Sequence, residues 1–335
     1  MIKIGIIGYG YWGPNLVRNF AGAKSCEVKI VVDSKEERLA MLHERYPMIQ
    51  GHKDCDKLFS DDEINAVVIA TPVFTHFDLA KKALLQGKHV LIEKPMTSSV
   101  EEAEELIAIA EQKGLTLMVD HTFLYTGAVI KIKEIVKSGE LGRLKYFDSS
   151  RINLGLFQPD INVLWDLAPH DISILNYIFD EKPISVQASG VSHTGNSIEN
   201  IAFLTVNFES GMIAHFNCSW TSPVKVRQTL IGGDKKMIVY NDMEPTNKVQ
   251  VYDYGYEIET TESKNSIIAD YRMGDIFIPK VDLTEALGKV VNDFLHSIKT
   301  GEVPVSNATL GLDVVKILEC SSLSLKNKGI EIKIP

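Results

Sequence analysis

Six residues near the start of the chain, Gly8-Tyr9-Gly10-Tyr11-Trp12-Gly13, restrict what it can fold into more than any other segment. Three glycines at this spacing arise often by chance, so the spacing alone says little. Their surroundings say more. An apolar run at 4–7 leads straight into them, Pro14 follows at a position suited to the first turn of a helix, and a second apolar run at 28–32 ends in Asp33. Strand, glycine turn, helix and terminal acid in this order make a dinucleotide-binding βαβ unit. Gly8 permits the tight turn, Gly10 lets a pyrophosphate approach the backbone, and Gly13 lets helix and strand pack closely. The helix N-terminus supplies amide donors and the positive end of its dipole. Tyr11 and Trp12 lie in the same loop and are expected at the cofactor with it. Asp33, followed by Ser34, is placed to accept hydrogen bonds from ribose hydroxyls and to repel a 2′-phosphate, so NAD is expected ahead of NADP. Arg38, also expected near the cofactor, pulls the other way together with Lys35, because an Arg there accommodates the extra phosphate.

The first 120 or so residues go on alternating apolar runs with amphipathic stretches, the pattern of a doubly wound parallel sheet covered by helices. Strands are expected at 4–7, 28–32, 66–70, 89–92 and 115–119, and helices at 35–46, 75–86 and 99–113. Ser99 with Glu102 forms a capping box that marks the start of the last. From about Leu141 strands follow one another directly, at 144–151, 184–191, 201–208, 212–220, 226–231 and 237–240. Glu209-Ser210-Gly211 is a turn signal that makes 202–220 a hairpin. The expected architecture is an α/β chain with a Rossmann domain over 1–121. An α+β domain over 122–335 is built on a large, mostly antiparallel sheet, and helices at 283–297 and 309–323 are free to pack on either.

Two further segments carry groups capable of chemistry. Glu93-Lys94-Pro95 directly follows the apolar run 89–92, at the carboxyl end of a strand, where ligands bind in open α/β sheets. A partly desolvated Lys94 there can polarise or protonate a substrate oxygen. Taken alone, a solvated turn lysine is the better explanation, because surface lysines are so common. In Trp165-Asp166-Leu167-Ala168-Pro169-His170-Asp171, Pro169 suits a first helical turn, so Asp166 and His170 are expected across a helix entrance. There the carboxylate can orient an imidazole suited to accept a proton near neutral pH. A helix-capping Asp166 and a polar core His170 are the bland alternative.

Composition excludes several classes. A net charge of −9 argues against nucleic acid or an anionic membrane surface as partner. The four cysteines are scattered without CxxC or zinc-ligand spacing, so no metal site is expected and a reducing, cytoplasmic setting fits best. The N-terminus lacks a signal-peptide pattern, and no apolar run reaches the roughly 18 residues of a membrane span.

GxGxxG, then EKP, then DxxxH resembles the Gfo/Idh/MocA oxidoreductases, and the likeness runs the length of the chain. Ala70-Thr71-Pro72 with His76, the Ser138-Gly139-Glu140-Leu141-Gly142 turn, and the late Asp293-Phe294, Gly301 and Pro304 fall in order. The resemblance implies that Thr71, Pro72, His76, Glu93 and Lys94 line the cofactor. It implies that Lys94, Asp166 and His170 meet at the nicotinamide, with His170 or Lys94 handling the hydroxyl proton and Asp166 orienting His170. Hydride transfer to or from a secondary hydroxyl of a sugar or nucleotide sugar, with C3 as the candidate position, is the implied reaction. A homodimer or homotetramer formed through the C-terminal sheet is the implied assembly. The chain departs from the family pattern at Ala168 and Ser173, where Gly and an acid are frequent. Arg151 and Asn153, within the stretch 151–157, and Asn162, His121 and Tyr125 are similar to segments of nucleotide-sugar members and are candidates for binding sugar hydroxyls or a carboxylate. An NAD-retaining glycosidase that oxidises and re-reduces one sugar, or a non-catalytic NAD-binding regulator, would use the same fold.

Overall fold

The computed structural model describes residues 1–155, 157–195, 197–260 and 267–335. Two compact units divide the chain, one made of Met1–Tyr125 and Glu285–Lys316, the other of Thr126–Thr284 and Ile317–Pro335. Among the described residues no helix is long and apolar enough to cross a membrane.

The first unit is wound around a parallel sheet of β1 (Ile2–Ile7), β2 (Cys26–Val32), β3 (Gln50–His52), β4 (Ala66–Ile69), β5 (His89–Glu93) and β6 (Leu117–Asp120), in the order β3-β2-β1-β4-β5-β6. Its central strands read as unbroken apolar runs because helices cover both faces of such a sheet; all four residues of β4 are buried. The connections are α1 (Gly13–Gly22), α2 (Glu36–Arg45), the short α3 (Asp56–Phe59), α4 (His76–Leu85) and α5 (Val100–Lys113). Ser99 caps α5 by accepting from the Glu102 amide, Glu102 reaches back to the Ser98 amide, and Gly114 closes the helix with φ +64°. Reversal of strand order on the two sides of β1 puts a switch point at the carboxyl ends of β1 and β4, beside the glycine loop.

The second unit begins with α6 (Gly127–Lys137), capped by the Thr126 hydroxyl. Its sheet contains β7 (Leu144–Leu154), β8 (Pro183–Val191), β9 (Ile201–Phe208), β10 (Ile213–Ser219), β11 (Thr221–Gly233), β12 (Met237–Asn241) and β13 (Val249–Tyr252), with α7 (Val163–Ile178) between β7 and β8. After a separate hairpin, β14 (Gly255–Thr260) and β15 (Ile267–Arg272), comes the edge strand β16 (Ile276–Phe277). The expected hairpin is β9–β10, turning at Gly211 with φ +82°. All ladders of the large sheet are antiparallel except β7–β10. Strict alternation along β9 and β10 buries Ala202, Leu204, Val206, Ala214, Phe216 and Cys218 on the face that α7 covers. The other face carries the exposed Phe203 and Ile213.

The chain then returns to the first unit through α8 (Ala286–Thr300), which joins α1 by a two-point Arg18–Glu285 ion pair at 2.5 and 3.0 Å and an edge-on Phe20–Phe294 contact. The last helix α9 (Ala308–Lys326) runs from the first unit into the second, where β17 (Ile332–Lys333) adds to β8.

Candidate functional site

In the first unit the glycine loop follows β1 and is shaped by contacts no side chain would permit. A Cβ on Gly8, whose φ is +99°, would lie 2.4 Å from the Ala70 carbonyl oxygen, and one on Gly13 would lie 2.2 Å from the Gly8 carbonyl oxygen. At Gly10 a Cβ would meet only the Arg38 guanidinium, at 3.2 Å. Gly8 and Gly13 therefore set the turn and the helix approach, while the backbone of Gly10 is left open to a ligand. α1 begins without a side-chain cap and without an acidic residue in its first turn, Pro14 standing at its start. Its N-terminal dipole is therefore not neutralised locally, which suits a pyrophosphate.

Asp33 directly follows β2 and is 6% exposed. Its Oδ2 accepts from the Tyr9 amide at 2.8 Å and from Arg38 Nη1 at 3.3 Å, and its Oδ1 from the Lys35 amide at 2.9 Å. Ser34 beside it is exposed. The carboxylate therefore fixes the glycine loop. Tyr11 is 88% exposed at the tip of the loop, whereas Trp12 turns inward and donates its indole N–H to Asp120 Oδ2 at 3.2 Å.

Thr71 and Pro72 follow β4, and His76 opens α4. The buried imidazole stands between two loops, Nε2 lying 2.8 Å from the Thr71 carbonyl and Nδ1 3.0 Å from that of Pro95. Burial lowers its pKa against the pull of these carbonyls. Next to it, Glu93 ends β5 and Lys94 follows, joined to Pro95 by a cis peptide bond. The β5–β6 register sets Glu93 opposite Asp120. Burial, and then the charge and hydrogen bond of Asp120, push the Glu93 carboxyl well above the usual carboxylate range, with Lys94 opposing. Burial also raises Asp120, against hydrogen bonds from Thr122, Glu93 and Trp12. His121 follows, 1% exposed, with neither ring nitrogen hydrogen-bonded among the described residues; burial, helped by the Lys94 charge, lowers its pKa to about 3. Tyr125 is buried too. It donates to Asp293 Oδ2 at 2.6 Å and accepts from the Ser306 amide at 3.1 Å, and burial followed by Asp293 raises its pKa.

The second unit presents the other group. Asp166 and His170 do not flank a helix entrance: α7 starts three residues before Asp166, and Pro169 lies inside it. Asn162 is the true cap, its Oδ1 accepting from the amides of Leu164 and Trp165 at 3.1 and 3.2 Å. Pro169 has no N–H to return to Trp165, a loss that sequence reading took as a helix boundary. Asp166 and His170 thus stand one turn apart on a continuous helix, on one face. Asp166 Oδ2 accepts from the Trp220 indole at 2.9 Å, and Gly155 is pressed against that ring, its Cβ position 2.7 Å from the indole carbon Cδ1. In the family-atypical positions, Ala168 is buried and Ser173 donates back to the His170 carbonyl at 2.8 Å.

Arg151 on β7 is 3% exposed, and its Nε and Nη2 donate to Asp171 at 2.8 and 2.6 Å. Burial opposes the charge of Arg151, yet Asp171 raises its pKa. Two of its donors are thereby committed to the core, and Asn162 to the helix cap and to Glu199 at 3.2 Å. Asn153 is half-buried near the end of β7; Leu156, in the same stretch, lies outside the described residues. Among the described residues no cluster of His, Cys, Asp or Glu could hold a metal ion.

Comparison with known proteins agrees with the two halves. Residues 2–121 match the model of an oxidoreductase family with an NAD-binding Rossmann fold, and residues 129–239 match the GFO/IDH/MocA C-terminal domain. The uncharacterized oxidoreductase YdgJ of Escherichia coli is 33% identical over 182 residues, an alignment spanning 50% of this chain and 51%, about half, of that protein. UDP-N-acetylglucosamine 3-dehydrogenase of Acidithiobacillus ferrooxidans is 30% identical over 222 residues, covering 65% of this chain and 67% of the relative. A solved structure of that name from the same organism superposes with a TM-score of 0.78 at 24% identity, covering 97% of this chain and 98% of the other. GenD2 from gentamicin A biosynthesis, solved in complex with NAD, has a TM-score of 0.83 at 20% identity, covering 100% of this chain and 96% of the other.

Proposed function

Because the chain belongs to the Gfo/Idh/MocA oxidoreductases, we propose that it is an NAD-dependent dehydrogenase that moves a hydride between the nicotinamide and a secondary hydroxyl or ketone of a sugar or nucleotide sugar. The observation that carries this reading is the first unit's constellation. A glycine loop is left open at Gly10, Asp33 holds that loop through the Tyr9 amide, and Lys94 sits at the carboxyl end of β5. Bound there, the nicotinamide would accept or give a hydride at C4. Everything else falls to the protein. Oxidation of the alcohol frees the hydroxyl proton, which His170 or Lys94 takes. Asp166, held by the Trp220 indole, positions His170 as a neighbour one turn away. The carboxylate of Asp33 favours NAD over NADP. Similarity to a UDP-N-acetylglucosamine 3-dehydrogenase supports a nucleotide sugar and, more finely, oxidation at its C3. The exposed face of the large sheet, with Phe203 and Ile213, supports a homodimer or homotetramer.

The test is a screen of purified protein with NAD and NADP against sugars and UDP-sugars, following absorbance of the reduced nicotinamide. Net reduction with at least one sugar is expected, and Lys94→Met and His170→Asn should each lower kcat by roughly 10²- to 10⁴-fold while NAD still binds. Release of aglycone with no net reduction would instead identify a redox-cycling glycosidase. Full activity in both variants would sink the assignment.

A further inference from the structure

Glu93 and Asp120 end neighbouring parallel strands as register partners, so the half-buried Glu93 side chain and the buried Asp120 side chain leave the same face of the sheet side by side, at a spacing where their carboxyl groups act on each other by charge and hydrogen bonding. Ionised carboxylates only accept, so a hydrogen bond between the two requires one proton. Its location follows from the other donors. Asp120 already accepts on both oxygens, from Thr122 Oγ1 at 2.5 Å and from Trp12 Nε1 at 3.2 Å. Glu93 has less support: the Lys94 backbone hydrogen bond is the weakest of the influences on it, and its Oε1 is buried with no hydrogen-bond partner among the described residues. Charge belongs on the oxygens that two donors stabilise, and the proton on the carboxyl that lacks them.

We propose that Glu93 is a protonated, uncharged carboxyl that donates to the Asp120 carboxylate, and that Asp120 is the positioning residue through which the glycine loop fixes the Glu93-Lys94-Pro95 turn. Asp120 joins three separate segments: Trp12 of the loop, the strand end carrying Glu93, and the turn carrying Thr122. The arrangement leaves the pair with one negative charge, on Asp120, acting on Lys94. A second carboxylate there would bind Lys94 more tightly and repel the phosphates that the α1 terminus is built to receive.

Infrared difference spectroscopy of wild type against Glu93→Gln reads the proton directly and depends on no ligand. At neutral pH the wild type should show the carbonyl stretch of a protonated carboxyl that the variant lacks; identical spectra in that region would overturn the proposal. NADH titration gives a second readout, which rests on the dinucleotide reading above. Gln keeps the donor that a protonated Glu93 supplies to Asp120, so Glu93→Gln should lose less NADH affinity than Asp120→Asn. Asp120→Asn puts an amide N–H₂ against the Trp12 or Thr122 donor and should bind about tenfold more weakly or worse. Equal losses, or the reverse order, would put the charge on Glu93 and overturn the assignment. Wild-type protein that binds no NADH would refute the proposed function and leave the infrared result standing.

Discussion

Asp33→Asn tests the cofactor site at its most constrained residue. The carboxylate is 6% exposed and receives backbone amides on both oxygens, Tyr9 at 2.8 Å and Lys35 at 2.9 Å. Asparagine offers one carbonyl oxygen and one N–H₂ in the same space. Whichever way it turns, one amide loses its acceptor and faces a donor instead. A hydrogen bond to a charged group contributes about 1.5–3 kcal/mol, roughly 10- to 150-fold in an equilibrium constant. Part of that loss falls on the loop itself, and the rest on the ribose contact. The Arg38 contact adds little, since its guanidinium is 37% exposed and the distance is 3.3 Å. Removing the charge nonetheless releases Arg38 to meet a 2′-phosphate. Calorimetric titration should therefore show NAD binding about tenfold weaker or worse and NADP no weaker than in wild type, with the preference between them shifted by one to two orders of magnitude. Thermal unfolding of the same sample controls for folding. If NAD affinity stayed within threefold and the preference did not move, the placement of Asp33 at the ribose would be refuted.

Arg151→Met should leave Asp171 charged and unpaired in the core and lower unfolding stability by about 3–5 kcal/mol in denaturant titration. Adding Asp171→Leu should recover most of the loss, and a wild-type midpoint for the single variant would exclude a buried ion pair. His121 predicts an acid limb. Its folded pKa of about 3 lies below the ordinary 6.5, so between these values the unfolded chain holds a proton that the folded chain lacks. Stability is then full above pH 6.5 and falls on acidification, by about 2 kcal/mol from pH 6.5 to pH 5 from this group alone. The depressed His76 and His89 act in the same direction. His121→Phe should make the limb shallower in stability measured across that range, and an unchanged slope would mean that His121 is protonated in the folded state.

The fold was legible where one local signal decided it. Buried parallel strands announce themselves as apolar runs, and the Ser99 capping box and the Gly211 turn mark their elements within a residue or two. What escaped was short or decided by neighbours. β3 has three residues, Gln50-Gly51-His52, with no strand propensity, and it pairs only because β2 offers an edge. β13 and β16 are likewise held by the ladder from β12 outward. Pro169 misled in a definite way. A proline inside a helix removes one hydrogen bond without ending the helix when the flanking turns are packed, and Val163, Leu164, Ile172 and Ile174 bury this one.

The site divides along the same line, between groups that announce themselves in contiguous sequence and partners that arrive from far away. Gly8, Gly13 and Asp33 could be read because a single βαβ unit supplies all three. Nothing local tells that Trp12 meets Asp120, 108 residues on, or that Trp220 reaches Asp166. One signal was nevertheless present in the sequence. The run 89–93 and the run 117–120 are both apolar strands that end in an acid, and a terminal acid on a buried strand is costly unless something at the sheet's carboxyl edge engages it. Asp33 satisfies that requirement with backbone amides, and Glu93 and Asp120 satisfy it with each other. The same rule therefore finds both Asp33 and the carboxyl pair: in a parallel sheet, an acid at the end of an apolar strand lies on the edge where ligands bind in such folds, and its donors show whether it stands there charged or protonated.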